Sequence, residues 1–390
     1  MLAYIPRLAR ERLKELHRSF PAVLILGPRQ CGKSTFARRT LPNWRQLDME
    51  SQADHSLISA DIEGFLARNP RRLVLDEAQN LPSLFPILRH VIDRSRGNGR
   101  FVIMGSANPS LRKDISESLA GRVGHLELTP FLASELKGKR FSADRWFWGG
   151  FPPVYPLRGA AARATWLDAY ITDVLERDIP ALGIRLPAPR LRRLCEMLTH
   201  LHGNLLNLSD ISRSLGVSYH TVADYLDVLE GAFLIRRLQP YHANVSKRLT
   251  KSPKIYIRDT GLLHVLAGLR KPAELESWPR RGASFEGMAI EELAALAALR
   301  HVRPGVFFWR TQAGAEVDLL LVLGSRIVPV EIKLSGTVGR HDVAGLRQCM
   351  ADLGIKRGWV ITGGNRRASL GRDIEIVPWS EIIRGGPDFL

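Results

Sequence analysis

The chain has 390 residues, and because one domain usually takes about 100–200 residues, two or three domains are expected. Its 45% hydrophobic and 24% charged residues are typical of a folded protein and exclude a disordered chain, a collagen and a disulfide-stabilised miniprotein. The 56 Lys and Arg residues exceed the 39 Asp and Glu residues, which gives a net charge of +17. This excess favours a polyanionic partner, with nucleic acid the first choice and an anionic membrane surface the second.

The positive charge is concentrated in the middle of the chain. Residues 137–270 contain 20 Lys and Arg against 11 Asp and Glu, a net charge of +9. Residues 1–136 have a net charge of +6, and residues 271–390 have +2. We therefore expect any surface that binds a polyanion to lie mainly in the middle third.

Cysteine content and apolar run length predict the cellular compartment. Three scattered cysteines are too few for a disulfide framework, and no CxxC pair indicates zinc. The N-terminal residues lack the apolar core of a signal peptide. The longest apolar runs, such as 22–26 and 293–299, are far shorter than the roughly 20 residues that span a bilayer. We expect a cytoplasmic protein without a membrane segment.

The first third alternates apolar strands with amphipathic helices. Residues 7–19 and 84–94 have the apolar spacing of helices. Three almost wholly apolar runs predict buried parallel strands, at residues 22–26, 72–77 and 101–106. Such alternation predicts a doubly wound α/β domain over residues 1–136.

A stretch rich in Gly, Pro and aromatic residues at 146–156 marks the first domain boundary, and helical patterns prevail beyond it to about residue 235. The last third, residues 271–390, has the pattern of a second α/β domain. Its predicted order is helix, three strands, helix and strand, at residues 285–299, 306–310, 316–322, 327–333, 342–353 and 358–362.

A phosphate-binding loop follows the first predicted strand. The motif G-x-x-x-x-G-K-S begins at Gly27, and its glycines, including Gly32, let backbone N–H groups surround phosphates. Lys33 would reach the β- and γ-phosphates and Ser34 would bind Mg²⁺, and we also expect Thr35 to contact the nucleotide. The motif lies between a predicted strand and a predicted helix, as it must, so ATP and Mg²⁺ are the expected cofactors.

Acidic and polar residues follow the next two strands. Asp76 would hold Mg²⁺ through water and Glu77 would polarise the attacking water, the alternative being a solvated acidic pair. Ser106 follows the third strand at the same sheet edge, where ligands of such sheets bind. It would either sense the γ-phosphate or only form a turn.

Several segments together resemble the AAA+ ATPases of bacteria and archaea in which an ATPase domain precedes a C-terminal domain of unknown function 4143. In the first third the resemblance rests on the phosphate loop and on residues 73–79, 104–108 and 118–122. It continues through the chain at residues 176–178, 254–262, 316–318 and 331–333.

This resemblance implies a role for Arg122, which precedes the fifth strand of the ATPase domain. In AAA+ proteins an arginine at the matching position commonly reaches the γ-phosphate bound by a neighbouring subunit. The protein would then be a homo-oligomer, such as a hexamer. The alternative is that Arg122 caps its own helix or pairs with a nearby acid.

The middle third contains a helix-turn-helix pattern. Residues 208–218 and 219–230 predict two helices joined by a Gly turn, and a strand at 233–238 with a basic hairpin at 242–254 completes a winged-helix pattern. Acidic residues on the second helix would repel DNA, so the hairpin is the better phosphate-binding element. Its DNA-binding candidates are Lys247, Arg248, Lys251 and Lys254. The alternative is a winged helix used for packing or subunit contacts.

The last third contains acids spaced as in the restriction-endonuclease-like core. Glu286 lies on a predicted helix, Asp318 on a strand, and Glu331 and Lys333 two residues apart on the next strand. In that core the acids hold Mg²⁺ and the lysine positions water for phosphodiester hydrolysis. The alternative is solvated charge at a strand edge.

The predicted architecture is therefore α/β, with an AAA+ P-loop domain (1–136), a helical and winged-helix middle domain (137–270) and a restriction-endonuclease-like α/β domain (271–390). Three functions remain open. The first is a Mg²⁺-dependent ATPase that couples hydrolysis to binding or remodelling of DNA, with branched or repair-related DNA preferred. The second is an ATP-gated, metal-dependent DNA nuclease. The third is an NTP-dependent switch that binds protein partners.

Overall fold

The computed structural model describes residues 4–95, 97–105, 115, 117–136, 139–180, 187–242 and 251–390, with the backbone alone for residues 139–143. Within these ranges no helix combines the length and the apolarity that crossing a membrane requires.

The N-terminal domain is built on a five-stranded parallel sheet. Its strands are β1 (Ala22–Leu26), β2 (Arg45–Asp48), β3 (Leu73–Asp76), β4 (Phe101–Gly105) and β5 (Val123–Glu127). Their spatial order is β2-β3-β4-β1-β5, with Leu26 of β1 opposite Gly105 and Glu127. The helices of this domain are α1 (Ala9–Ser19), α2 (Lys33–Thr40), α3 (Gln52–Ser59), α4 (Ile62–Arg68) and α5 (Leu84–Arg94).

Both faces of this sheet are covered, which explains why β1, β3 and β4 are apolar throughout most of their length. Val23 and Ile25 pack with residues of α1 and α2 on one face, whereas Leu24 packs with α4 and α5 on the other. The three predicted strands are confirmed, and so are the helices predicted at residues 7–19 and 84–94. No sequence signal indicated β2, an edge strand in which only Leu47 is buried.

The middle region is mainly helical. Its helices are α6 (Lys139–Trp148), α7 (Ala160–Asp173), α8 (Ala188–Leu201), α9 (Leu208–Leu215), α10 (Tyr219–Gly231), α11 (Thr260–Leu266) and α12 (Glu274–Ser277). A π-helical segment, Val174–Asp178, continues α7. The two helices of the predicted helix-turn-helix are present: Gly216 ends α9 with φ 66°, and the Ser218 hydroxyl caps α10 by accepting from the Thr221 N–H at 3.1 Å.

The last third has the predicted order of elements. Helix α13 (Arg281–Arg300) is followed by β8 (Gly305–Arg310), β9 (Glu316–Leu323), β10 (Arg326–Lys333), α14 (Ala344–Leu353) and β11 (Gly358–Thr362). Two further strands and a helix complete it: β12 (Ala368–Leu370), β13 (Ile374–Pro378) and α15 (Trp379–Gly385).

The middle region and the last third share one sheet. The middle strands β6 (Ile235–Pro240) and β7 (Lys254–Ile257) form an antiparallel pair. Because β6 also pairs in parallel with β8, the eight strands have the order β12-β13-β11-β10-β9-β8-β6-β7. The hairpin predicted at 242–254 falls largely on residues 243–250, which lie outside the described residues.

An ionic network centred on the buried Glu291 joins all three regions. Glu291 of α13 accepts from Arg236 of β6 and, through Oε2, from Arg258 Nε at 2.9 Å. Arg258 also donates to Glu127 at the end of β5, with Nη2 2.5 Å from Oε1. Glu291 is 7% exposed, and the two arginines hold its pKa at about 2 although burial opposes this shift.

Replacing Glu291 by Gln should destabilise the protein by about 3–5 kcal/mol, because Arg236 and Arg258 would be left in a buried site without their carboxylate. Urea unfolding followed by circular dichroism measures this effect. Since the folded pKa of Glu291 lies below 4.5, its contribution is present above pH 4.5 and is lost as the pH falls towards 2. The difference from the wild type should therefore shrink in acid.

The matched control is Glu11→Gln, which breaks an exposed pair between Glu11 and Lys14 within one helix. We expect little change in stability from this variant. Equal effects of the two substitutions would contradict a structural role for the network.

Candidate active site at the phosphate loop

The loop between β1 and α2 has a backbone that only glycine permits at two positions. A Cβ on Gly27 would lie 2.1 Å from the carbonyl oxygen of Leu128, and Gly32 adopts φ 98° directly before α2. Helix α2 begins directly after this loop, so its first N–H groups are available for anion binding at a helix N-terminus.

Lys33 lies inside this loop and not in solvent. Its side chain is buried, and Nζ donates to the carbonyl oxygens of Gly27 and Pro28 at 3.1 and 3.2 Å. These bonds hold the ammonium group at the concave side of the loop, where it can neutralise phosphate oxygens.

Ser34 and Asp76 meet at the carboxyl edge of the sheet. The Ser34 hydroxyl donates to Asp76 Oδ2 at 2.5 Å, and Asp76 is 9% exposed at the end of β3. Burial raises the pKa of Asp76 above its ordinary value. A hydroxyl and a carboxylate oxygen this close form the hard donor pair that Mg²⁺ prefers, so the residues fit a Mg²⁺ held together with nucleotide phosphates.

Glu77 is placed beside this pair by an unusual backbone conformation. Its φ of 48° is left-handed, which a residue without a functional or structural reason seldom adopts. The Glu77 N–H donates to Asp76 Oδ1 at 3.1 Å, and Gln79 Nε2 donates to Glu77 Oε2 at 2.5 Å. The two predicted acids are thus brought together with Lys33 and Ser34.

Three side chains that the sequence did not indicate hold the loop from outside. Arg7 is buried and donates to the Cys31 carbonyl at 3.0 Å and to Glu135 Oε2 at 2.9 Å. Tyr170 of α7 donates to the Arg29 carbonyl at 3.3 Å, and Asp178 pairs with the Arg29 guanidinium at 2.7 Å. Asp178 belongs to a segment of family resemblance, which was the available signal for it.

An apolar cavity of about 280 Å³ adjoins the loop and the start of α2. Thr35 lies in its wall next to Gly32, and the opposite side is formed by Tyr4 and Ile5 and by prolines that follow α6. Its position beside the phosphate site suits the flat, weakly polar base of a nucleotide.

The two remaining catalytic predictions have different outcomes. Ser106 lies outside the described residues. Arg122 is one-third exposed and makes a bidentate pair with Asp93 of α5, at 2.7 and 2.9 Å. Within one chain Arg122 therefore pairs with a nearby acid and remains accessible at the surface.

The predicted acids of the last third do come together, but Lys254 lies among them. Its side chain is 4% exposed, and Nζ lies 3.2 Å from Glu286 and 3.5 Å from Asp318 and pairs with Glu316. The expectation that Lys254 presents its charge to DNA is therefore wrong for this structure, because the buried ammonium group faces carboxylates. Among the described residues, no group of three or more Asp, Glu, His or Cys is arranged to hold a metal ion.

Glu331 and Lys333 lie at the other side of these acids. Lys333 Nζ is 2.8 Å from Glu331 Oε1. Burial, with the nearby Asp318 charge, raises the pKa of Glu331 to about 8 and that of Glu286 to about 7. Burial and the neighbouring carboxylate thus disfavour the charged forms of both groups.

The other DNA-binding candidates are only partly described. Lys247 and Arg248 lie outside the described residues, and Lys251 is exposed just before β7. Arg237 of β6, which adds to the positive charge of this region, pairs with Asp227 and with Glu230 of α10.

Comparison with known proteins agrees with this geometry. Family models described as AAA domain, domain of unknown function (DUF8612) and domain of unknown function (DUF4143) match residues 19–137, 140–273 and 281–382. An uncharacterized protein of Mycobacterium tuberculosis is 40% identical over 384 residues, which are 96% of this chain and 83% of the relative. An uncharacterized protein of Haemophilus influenzae is 28% identical over 181 residues, 42% of this chain and 45% of the relative.

Among solved structures, the Walker-type ATPase of Pyrococcus abyssi aligns with a TM-score of 0.47 and 16% identity, over 67% of this chain and 96% of that chain. A point variant of RuvB from Thermotoga maritima aligns with a TM-score of 0.29 and 19% identity, over 59% of this chain and 86% of that chain. A TM-score below 0.5 does not establish a shared fold.

The site and the family matches together define a protein with a P-loop domain of the AAA type. The chain belongs to the family in which an N-terminal AAA domain is combined with a C-terminal DUF4143 domain.

Proposed function

We propose that the protein is a Mg²⁺-dependent ATPase whose turnover is coupled to DNA. The observation that carries the ATPase part is the meeting of Lys33, Ser34, Asp76 and Glu77 at one sheet edge, with the Ser34 hydroxyl 2.5 Å from Asp76. Phosphoryl transfer needs little covalent chemistry from the protein, so positioning and charge stabilisation by such residues supply the catalysis.

In this proposal each residue has a separate task. The N–H groups at the start of α2 and the Lys33 ammonium bind the phosphates, and Ser34 and Asp76 hold the cation. Mg²⁺, when bound, neutralises charge that develops on the phosphate oxygens. Glu77 orients and polarises the attacking water, with its carboxylate fixed by Gln79.

Arg122 acts in a neighbouring subunit, which makes the active form an oligomer. Its guanidinium is accessible at the surface, where it pairs with the half-exposed Asp93 of the same chain. An arginine supplied in this way stabilises transition-state charge.

DNA is the proposed partner because the helix-turn-helix has exposed polar residues at the start of α10 and because the sequence predicts a basic hairpin after it. Tyr219 is 51% exposed there, beside the exposed His220. The hairpin that the sequence predicts, with Lys247, Arg248 and Lys251, would complete a winged helix suited to a duplex.

The ATPase proposal is tested by Glu77→Gln. This variant should bind ATP with Mg²⁺ as the wild type does, but turnover should fall by about 10²–10⁴-fold, because the water loses its base. Phosphate release and fluorescent-nucleotide binding measure the two properties. Glu50→Gln removes an exposed carboxylate near the loop and serves as the control. Wild-type turnover in Glu77→Gln would disprove the assignment.

Arg122→Ala should lower turnover by about 10³-fold or more while nucleotide binding remains. Asp93→Ala removes the same intramolecular pair but keeps the arginine, so it should stay active. Mixing Arg122→Ala with Glu77→Gln should restore part of the activity, since one subunit keeps the glutamate and its neighbour supplies the arginine. Loss of activity in Asp93→Ala, or no recovery on mixing, would contradict action between subunits.

DNA should raise the turnover rate, and moderate salt should suppress this effect because phosphate contacts release counterions. The assay compares single-stranded, duplex and branched DNA across salt concentrations. Replacing Lys247, Arg248 and Lys251 by Ala should reduce the slope of log DNA affinity against log salt concentration by up to about 3. Arg213→Ala, on the exposed face of α9 and paired with Asp210, is the control. A slow ATPase that no DNA form stimulates would instead favour a switch with protein partners.

A further inference from the structure

Four carboxylates of the last third form an acid cluster, which comprises Glu286 of α13, Glu316 and Asp318 of β9 and Glu331 of β10. Lys254 enters this cluster from β7, which belongs to the middle region. Its ammonium group contacts three of the four acids, and it is almost completely buried.

Most oxygens of the acid cluster already contact donors of the protein. Glu286 Oε1 accepts from the Tyr256 hydroxyl at 2.5 Å as well as from Lys254 at 3.2 Å. Asp318 Oδ2 accepts from the Ile332 N–H at 2.9 Å. A divalent cation would need several of these oxygens within about 2.0–2.6 Å of one point, the range of Mg²⁺ and Ca²⁺ ligands.

On the remaining side of the cluster, Glu331 Oε1 pairs with Lys333 at 2.8 Å and Glu316 pairs with Arg310. Glu331 Oε2 is a buried oxygen to which the described part of the chain offers no hydrogen-bond donor. One such oxygen does not make a metal site, because a cation beside it would also lie close to the Lys333 ammonium group.

The charges lead to the same conclusion. Lys254, Lys333 and Arg310 face the four carboxylates, so most of the negative charge is already compensated. A divalent cation added within a few ångströms of Lys254 would meet strong like-charge repulsion in a poorly hydrated site. The Lys254 ammonium also reaches Glu286, Glu316 and Asp318 simultaneously, as a bound cation would.

We infer that Lys254 takes the place of a divalent cation in the acid cluster. The last third then keeps the order of elements of a nuclease core but does not perform metal-dependent DNA cleavage. Its acids instead bind β7 of the middle region to α13 and β9. This inference does not depend on the proposed ATPase activity.

The test is Mn²⁺ binding to the nucleotide-free full-length protein, followed by electron paramagnetic resonance. Asp318→Asn should bind Mn²⁺ as the wild type does, because the acid cluster of the wild type holds no Mn²⁺. The asparagine oxygen can still accept from the Ile332 N–H, so the fold should persist. Lys254→Met should create one site with at least about tenfold higher Mn²⁺ affinity than the wild type, because the like charge is gone. Adding Asp318→Asn to Lys254→Met should abolish the new site.

Lys251→Met is the matched control, since it removes an exposed lysine three positions earlier and should bind Mn²⁺ like the wild type. The inference is wrong if wild-type protein has a Mn²⁺ site, or a Mn²⁺-dependent DNA cleavage, that Asp318→Asn removes. It is also wrong if folded Lys254→Met gains no site. Should Lys254→Met fail to fold by circular dichroism, the comparison of wild type with Asp318→Asn decides alone.

Discussion

The ionic network around Glu291 determines how the three regions of the chain are arranged. Its members come from β5, β6, the residue after β7, and α13. Glu291 and Arg258 are largely buried where the regions meet, and Glu127 of β5 completes the network at its solvent-exposed edge. Removing one partner would leave the rest uncompensated, which costs far more than losing an exposed pair. Glu127 is followed by Leu128, whose carbonyl oxygen approaches Gly27 closely, so the network lies one residue from the phosphate loop.

The phosphate loop is itself held by residues from outside the strand and helix that form it. Arg7 binds the Cys31 carbonyl, and the middle region supplies Tyr170 and Asp178 to Arg29. Asp178 ends a π-helical segment, a conformation that frequently occurs at functional sites. Because Asp178 pairs with a guanidinium of the loop itself, the middle region contacts the phosphate loop directly.

Sequence patterns predicted most of the fold because burial on both faces makes parallel strands continuously apolar, as in β1 and β4. The phosphate-site residues were predictable because their chemistry requires fixed spacing. Features that depend on tertiary contacts could not be predicted. The mainly exposed β2 has no apolar run, and nothing in the sequence distinguishes Arg7 from the many other arginines. Lys254 was grouped with Lys251 by proximity, yet it begins the wholly buried strand β7, where Tyr256 two residues on also faces Glu286.

The net charge of the middle region overstates what it offers to an external polyanion. Arg236 and Arg258 are bound to Glu291, Arg237 to Glu230, and Lys254 to the acid cluster. These cations compensate acids inside the protein, partly acids that belong to the neighbouring regions. The net charge of a sequence segment therefore counts both cations that are paired inside the protein and cations that are free at its surface. Only the second kind attracts an external polyanion. DNA would be bound by Lys247, Arg248 and Lys251 of the predicted hairpin and by the exposed start of α10, and the net charge of +9 adds little to this.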